Sequence, residues 1–121
     1  MNPALPDDLL VLCLCAEWCG TCRDYRMPFA QVAGEHPALP FAWVDVEDHS
    51  DLADAFDVET FPTLLLVSGR GVHFLGPMLP HAQTLSRLLA ALPAATPAAA
   101  EVAALVDAVR RDPAPFAVRA A

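Results

Sequence analysis

The sequence predicts an α/β sandwich, in which helices pack against a central sheet of mixed strand directions. Short apolar runs typical of buried strands alternate with longer segments whose apolar residues recur at helical spacing. Glycines and prolines separate these segments. With 121 residues, of which 55% are hydrophobic, the chain has the length and apolar content of one compact domain.

The first strand and the first helix meet at a pair of cysteines. Residues 9–15 form an uninterrupted apolar run, which predicts a strand buried on both faces. From Gly20 to Gly34 the apolar spacing is helical, and Gly34 is the expected C-terminal stop. Pro28 lies inside this helix, where the missing backbone donor should kink it. The motif Cys19-Gly20-Thr21-Cys22 therefore spans a strand-to-helix junction.

The remaining elements complete the order β-α-β-α-β-β-α. They are a strand over 41–46, a short helix over 50–56, a strand over 62–68, a tight turn over 69–71, a strand over 72–75 and a helix over 80–92. A linker rich in proline and alanine, residues 93–97, precedes an added helix over 98–111 and a tail over 112–121 that we expect to be loose. The predicted domain covers residues 1–92, and residues 93–121 form a C-terminal extension.

Charge and hydropathy exclude some partners. The net charge is −8, and the chain has seven arginines but no lysine, so we expect no binding to nucleic acid. Acidic residues concentrate over 45–59, which is either a solvated face or a docking surface for basic partners. The sequence has no apolar stretch long enough for a membrane span and no leader pattern at its start, so we expect a cytoplasmic protein without membrane contact.

The four cysteines lie between positions 13 and 22, too close together to join distant segments of a secreted fold. They indicate redox chemistry or metal binding. A string of four thiols could hold zinc or an iron–sulfur cluster, although no second cysteine pair or histidine pair supports that interpretation. The scattered histidines are expected on the surface; they are His36, His49, His73 and His81.

The segment from Ala16 to Cys22 after a buried strand, together with Phe61-Pro62-Thr63 opening a later strand, resembles the thioredoxin family. The resemblance covers residues 9–92. It implies a thioredoxin-like three-layer sandwich with about four strands in its central mixed sheet. It also implies a monomeric thiol-disulfide oxidoreductase without a cofactor, more a reductase than an oxidant, which acts on protein disulfide substrates. An upstream reductase such as a thioredoxin reductase is a candidate partner.

The chemistry of the motif assigns a role to each cysteine. Unpaired backbone donors and the positive dipole end at a helix N-terminus favour a thiolate, so Cys19 is the expected attacking sulfur. Two intervening residues place Cys22 one helical turn further on, where it can resolve a mixed disulfide. These two are the predicted catalytic residues.

A substrate groove is implied by the resemblance. By that resemblance Pro62 has a cis peptide bond beside the cysteine pair, and Phe61 offers backbone hydrogen bonds to an extended substrate. The alternative for Pro62 is an ordinary proline that begins a strand. The predicted substrate-binding residues are Trp18, Gly20, Thr21, Phe61, Pro62 and Gly76. If the cysteines are incidental, the domain is instead an adaptor that docks a partner through its acidic segment.

The sequence departs from the family at two places. The family has a further strand and helix before the first buried strand, so we expect a truncated sheet of four strands, one face of which the added helix would cover. Cys13 stands where the family has a buried acid, and Cys15 follows two residues later on the same face of the strand. Each of these thiols is either an inert core residue or a relay that exchanges with the catalytic pair.

Overall fold

A computed structural model describes residues 5–6, 8–16, 18–49 and 62–118. In chain order the elements are β1 (Leu10–Cys15), α1 (Gly20–Glu35), β2 (Phe41–Asp45), β3 (Thr63–Ser68), β4 (Gly71–Pro77), α2 (Ala82–Ala90) and α3 (Ala100–Arg111), followed by a short 3-10 turn at Ala114–Phe116. Within the described residues this order agrees with the α/β sandwich that the sequence predicts. The short helix expected over 50–56 lies outside the described residues.

The sheet has four strands in the order β2-β1-β3-β4, counted over the described part of the chain. The central strand β1 runs parallel to β2 and antiparallel to β3, and β3 and β4 form an antiparallel hairpin. All six residues of β1 are buried, because side chains on both of its faces pack against helices. This explains the uninterrupted apolar run and confirms the mixed sheet.

The first face of the sheet packs against α1 and α2. Val11, Cys13 and Cys15 point to this side, where they join an apolar cluster with residues of both helices. The residues contributed by α1 include Tyr25 and Phe29, both fully buried. The two predicted catalytic cysteines thus lie beside this layer of the core.

The second face of the sheet packs against α3. Leu10, Leu12 and Leu14 alternate with the residues of the first face and form a separate cluster with β2, β3 and α3. The buried residues that α3 contributes form one apolar stripe: Val102, Leu105, Val106 and Val109. The added helix supplies the third layer, on the face of the sheet that it was expected to cover.

The linker between α2 and α3 is held against the edge strand. Val72 and Thr96 exchange two backbone hydrogen bonds of 2.8 Å and form an isolated β-bridge. Gly71 has φ = 125°, and a side chain there would collide with the backbone of Thr96. The glycine therefore serves both the turn before β4 and the close approach of the linker.

The chain after α3 is packed as far as residue 118, which differs from the loose tail that the sequence predicts. Phe116 is buried in the second cluster, and its ring lies 4.6 Å from that of His49. Ala117 forms a β-bridge with Ala42. Burial of the Phe116 ring holds this short, proline-containing segment against the sheet layer.

His73 is a further correction, because it was expected on the surface and is buried. Its Nδ1 lies 2.8 Å from the carbonyl oxygen of Pro93, and its Nε2 lies 2.8 Å from the hydroxyl of Ser68. A carbonyl oxygen can only accept, so Nδ1 donates the first of these bonds. Both ring nitrogens are satisfied, and the imidazole joins the hairpin to the linker.

Candidate active site

The strand-to-helix junction positions the predicted catalytic residues. After β1 ends, the backbone N–H of Cys19 donates to the carbonyl of Ala16 at 3.0 Å and closes a turn. Cys19 has extended backbone angles and is the N-cap of α1, and its carbonyl accepts the helical bond from the N–H of Arg23. Cys22 follows in the first helical turn. The side chain of Cys19 is partly exposed, whereas that of Cys22 is 1% exposed.

The sulfur of Cys22 is bonded to Cys15, and Cys19 is a free thiol. The bridge joins the last residue of β1 to the first turn of α1, across a Cα–Cα distance of 5.7 Å. One interpretation of the sequence makes Cys15 an inert core residue. Its bond to Cys22 rules out that interpretation. A pairing of Cys19 with Cys22 stays a prediction.

The fourth thiol, Cys13, lies directly beside this bridge. Its Sγ is 3.6 Å from that of Cys15. Because Cys15 carries no hydrogen when it is bonded to Cys22, Cys13 is the donor of this weak S–H hydrogen bond. Burial raises the pKa of the Cys13 thiol well above its usual range, and the positive charge of Arg26 opposes that rise only in part. Cys13 is therefore held as a neutral thiol.

Aromatic side chains surround the neutral thiol. Trp43 stands opposite Cys13 on β2, and the guanidinium of Arg26 lies 4.7 Å from the centre of its ring. The Tyr25 hydroxyl is buried without a hydrogen-bond partner in the described residues. Burial is the main cause that raises the pKa of Tyr25 above its usual range, and the nearby Cys13 adds to the rise. The surroundings beneath the cysteine pair are thus apolar and aromatic.

The other predicted site residues occupy two sides of the junction. Trp18, Gly20 and Thr21 are exposed around Cys19, and Trp18 is 62% exposed. Pro62 is buried immediately before β3, and its carbonyl accepts a bond of 3.0 Å from the N–H of Met78. Gly76 is part of β4 and is paired with Leu64. Phe61 lies outside the described residues.

The bridge between Cys15 and Cys22 is not among the predictions from the sequence. The signal was present, since Cys15 ends a predicted buried strand and shares a face with Cys13, on the side that the following helix covers. The distance between the end of β1 and the buried side of the first turn of α1 cannot be obtained from the sequence.

The described residues include no group of three or more histidine, cysteine or acidic side chains arranged to hold a metal ion. Cys13 and Cys15 point inward from the strand, and Cys19 is at the partly exposed helix start. In this conformation the four sulfurs are not arranged to coordinate one metal ion together. The same part of the chain holds no helix long and apolar enough to cross a membrane.

Comparison with known proteins identifies relatives of this chain. Among curated proteins, thioredoxin C-3 of Corynebacterium nephridii is 47% identical over 62 residues, which are 50% of this chain and 43% of the relative. Thioredoxin of Mycoplasma pneumoniae is 35% identical over 69 residues, or 56% of this chain and 68% of the relative. The chain spans about half the length of the first curated relatives that it matches.

Solved structures share the fold. A thioredoxin from Fasciola hepatica has a TM-score of 0.64 and 24% identity, with 72% of this chain and 83% of that chain covered. A thioredoxin from Nicotiana alata has a TM-score of 0.63 and 23% identity, with 72% and 75% covered. The thioredoxin family model matches residues 4–87, more than half of the sequence. The chain therefore belongs to the thioredoxin family.

Proposed function

We propose that this protein is a thiol-disulfide oxidoreductase that reduces disulfides of protein substrates. One observation carries the proposal: Cys19 is a partly exposed free thiol at the N-terminus of α1, with the buried Cys22 in the first turn behind it. An attacking sulfur must reach the substrate, and a resolving sulfur must reach only the attacking one. The exposure of the two side chains supports this division of roles.

The reaction begins from the dithiol form. The thiolate of Cys19 attacks one sulfur of the substrate disulfide, and the second substrate sulfur leaves with the electron pair and takes up a proton. The thiolate of Cys22 then attacks Cys19, which releases the first substrate sulfur. The substrate gains two electrons and two protons, and the enzyme retains a disulfide between Cys19 and Cys22.

The surface around Cys19 is suited to an extended substrate segment. Trp18 offers a large exposed apolar face beside the attacking sulfur. Gly20 and Thr21 are exposed and small enough to let a substrate backbone approach. We assign Phe61, a cis Pro62 and Gly76 to the opposite wall of this groove, on the resemblance of the Phe-Pro-Thr segment to the family. An upstream reductase, such as a thioredoxin reductase, would return the enzyme to its dithiol form.

The proposal is tested by insulin reduction with dithiothreitol as the electron source. Cys19→Ser is expected to lower the rate to the uncatalysed background, because serine is not a nucleophile toward a disulfide. Cys13→Ser is the matched control, since Cys13 is a buried neutral thiol outside the proposed reaction, and its rate should stay within about threefold of wild type, or ~0.7 kcal/mol. A Cys19→Ser variant as fast as the control would contradict the proposal.

A further inference from the structure

We propose that Cys15 is a second partner of Cys22, and that the oxidised protein moves its disulfide from the partly exposed Cys19–Cys22 pair into the buried Cys15–Cys22 pair. The inference rests on the proposed function, because that reaction supplies the first disulfide. It adds a third cysteine to the redox machinery and leaves Cys19 as a reactive thiol in the oxidised protein.

Cys22 has one partner that the structure shows and a second that the spacing of the helical turn supplies. Cys15 ends β1 and lies within bonding distance of Cys22, with the Cα atoms 5.7 Å apart, inside the usual range for disulfides. Cys19 lies three residues before Cys22, at the start of the same helical turn. Cys22 is thus placed between a buried sulfur on the strand and a partly exposed sulfur at the helix start.

The exchange is a balanced thiol-disulfide reaction. The thiolate of Cys15 attacks the Sγ of Cys22, a bond between Cys15 and Cys22 forms, and the bond between Cys19 and Cys22 breaks. The electron pair leaves on Cys19, and the proton lost by Cys15 is taken up by Cys19 or by solvent. The reactants and the products of this exchange each contain one disulfide and one thiol, so no further oxidant or reductant is needed.

Cys15 rather than Cys13 is placed to make this attack. The sulfur of Cys15 reaches that of Cys22 in the first turn of α1, with the Cα atoms 5.7 Å apart. Cys13 lies two residues before Cys15, about 6.6 Å back along the strand. Burial raises the pKa of Cys13, so it stays protonated at neutral pH. In the structure its S–H donates to Cys15, and it is Cys15, not Cys13, whose sulfur is bonded to Cys22.

The buried disulfide differs from the exposed one in what can reduce it. Cys15 is 0% and Cys22 is 1% exposed, so a reductant in solution cannot approach either sulfur in line with the bond. Reduction would begin with Cys19, which attacks Cys22 and restores the exposed disulfide. The buried disulfide is therefore reduced only after Cys19, a thiol of the protein itself, has attacked Cys22.

Peptide mapping of the full chain distinguishes the two disulfides. The protein is oxidised with oxidised glutathione, quenched with acid, alkylated and digested with trypsin and an endoprotease that cleaves after glutamate. Cleavage after Glu17 and Arg23 separates Cys13 and Cys15 from the peptide 18–23, which holds Cys19 and Cys22. A Cys15–Cys22 bond links two peptides, whereas a Cys19–Cys22 bond forms a loop inside one.

We expect most Cys22 to be found in the linked peptides, with the alkyl label on Cys19. In Cys15→Ser the linked species should vanish and the loop within 18–23 should take its place. Cys13→Ser is the control and should keep the linkage of the wild type. The inference is overturned if oxidised wild type yields mainly the loop, or if Cys15→Ser forms no loop. The first result leaves the proposed function intact, whereas the second would also contradict the resolving step proposed for Cys22. The loss of insulin reduction in Cys19→Ser tests the attacking role of Cys19 separately.

Discussion

Cys13, Cys15 and Cys22 are buried side by side, whereas Cys19 is partly exposed. A thiol reacts only as a thiolate that a partner can reach, so burial assigns different roles to side chains that are alike in sequence. We infer that Cys19 meets the substrate, that Cys22 resolves the mixed disulfide and that Cys15 receives the disulfide. Cys13 remains a core residue that donates a weak hydrogen bond.

Because burial raises the pKa of Cys13, the stability of the folded protein should fall at alkaline pH. The unfolded chain loses this proton near the ordinary pKa of 9.0, while the folded protein keeps it. The contribution of Cys13 is therefore fully present below pH 9 and is lost as the pH rises. The unfolding free energy should fall by up to about 1.4 kcal/mol per pH unit above 9.

Chemical unfolding at pH 8 and pH 10 measures this effect, with Cys13→Ser as the comparison. The variant lacks the titrating thiol and should lose less stability between the two pH values. Titrating groups that do not interact with Cys13 act alike in both proteins and cancel in the difference. Tyr25, whose pKa Cys13 helps to raise, adds to the difference in the same direction. Equal losses in wild type and variant would show that Cys13 is not held as a neutral thiol.

The burial of His73 could not be predicted from its position in the sequence. Its sequence neighbours gave no reason to expect burial, since a histidine with no metal spacing or partner pattern is usually a surface residue. The partners that satisfy it come from the hairpin, Ser68, and from the linker, Pro93. Neither can be assigned as a partner before the fold brings it to the ring.

The helices and strands themselves follow closely from periodicity. β1, β2 and β3 begin and end within one residue of their predicted bounds, because buried strands are marked by clear apolar runs. β4 is longer than predicted, running on to Pro77 through residues of mixed exposure. α1 passes through Gly34 and ends at Glu35, since glycine lowers helix stability without preventing one more residue.

The packing of α3 predicts the consequence of a single truncation. Leu105 is 0% exposed within the cluster that covers the second face of the sheet. Leu105→Ala should lower the unfolding free energy by about 2 to 5 kcal/mol, because it removes buried methyl groups and leaves a cavity. Chemical unfolding of the purified variant measures the loss.

The exposed Asp107 on the same helix provides the control. Asp107→Ala should change the unfolding free energy by no more than about 0.5 kcal/mol. If Leu105→Ala were as mild as this control, α3 would not be a structural layer of the protein. The sheet would then be stable without its added helix.

For the whole molecule, the sequence predicts the class of fold, the layer that the added helix supplies and the junction that holds the cysteine pair. These features depend on local periodicity and on the position of a motif between two elements. The bond between Cys15 and Cys22, the bridge from Val72 to Thr96 and the burial of Phe116 depend on distances between elements. Such distances are set only when all layers pack together.

The central claim is that Cys19 is the sulfur that attacks a substrate disulfide. The most direct measurement is the mass of a trapped adduct in Cys15→Ser/Cys22→Ser, which lacks both other members of the proposed relay. After reaction with oxidised glutathione, we predict one glutathione on the peptide 18–23, attached to Cys19. An adduct on Cys13 instead, or no adduct under conditions in which free cysteine reacts, would contradict the account.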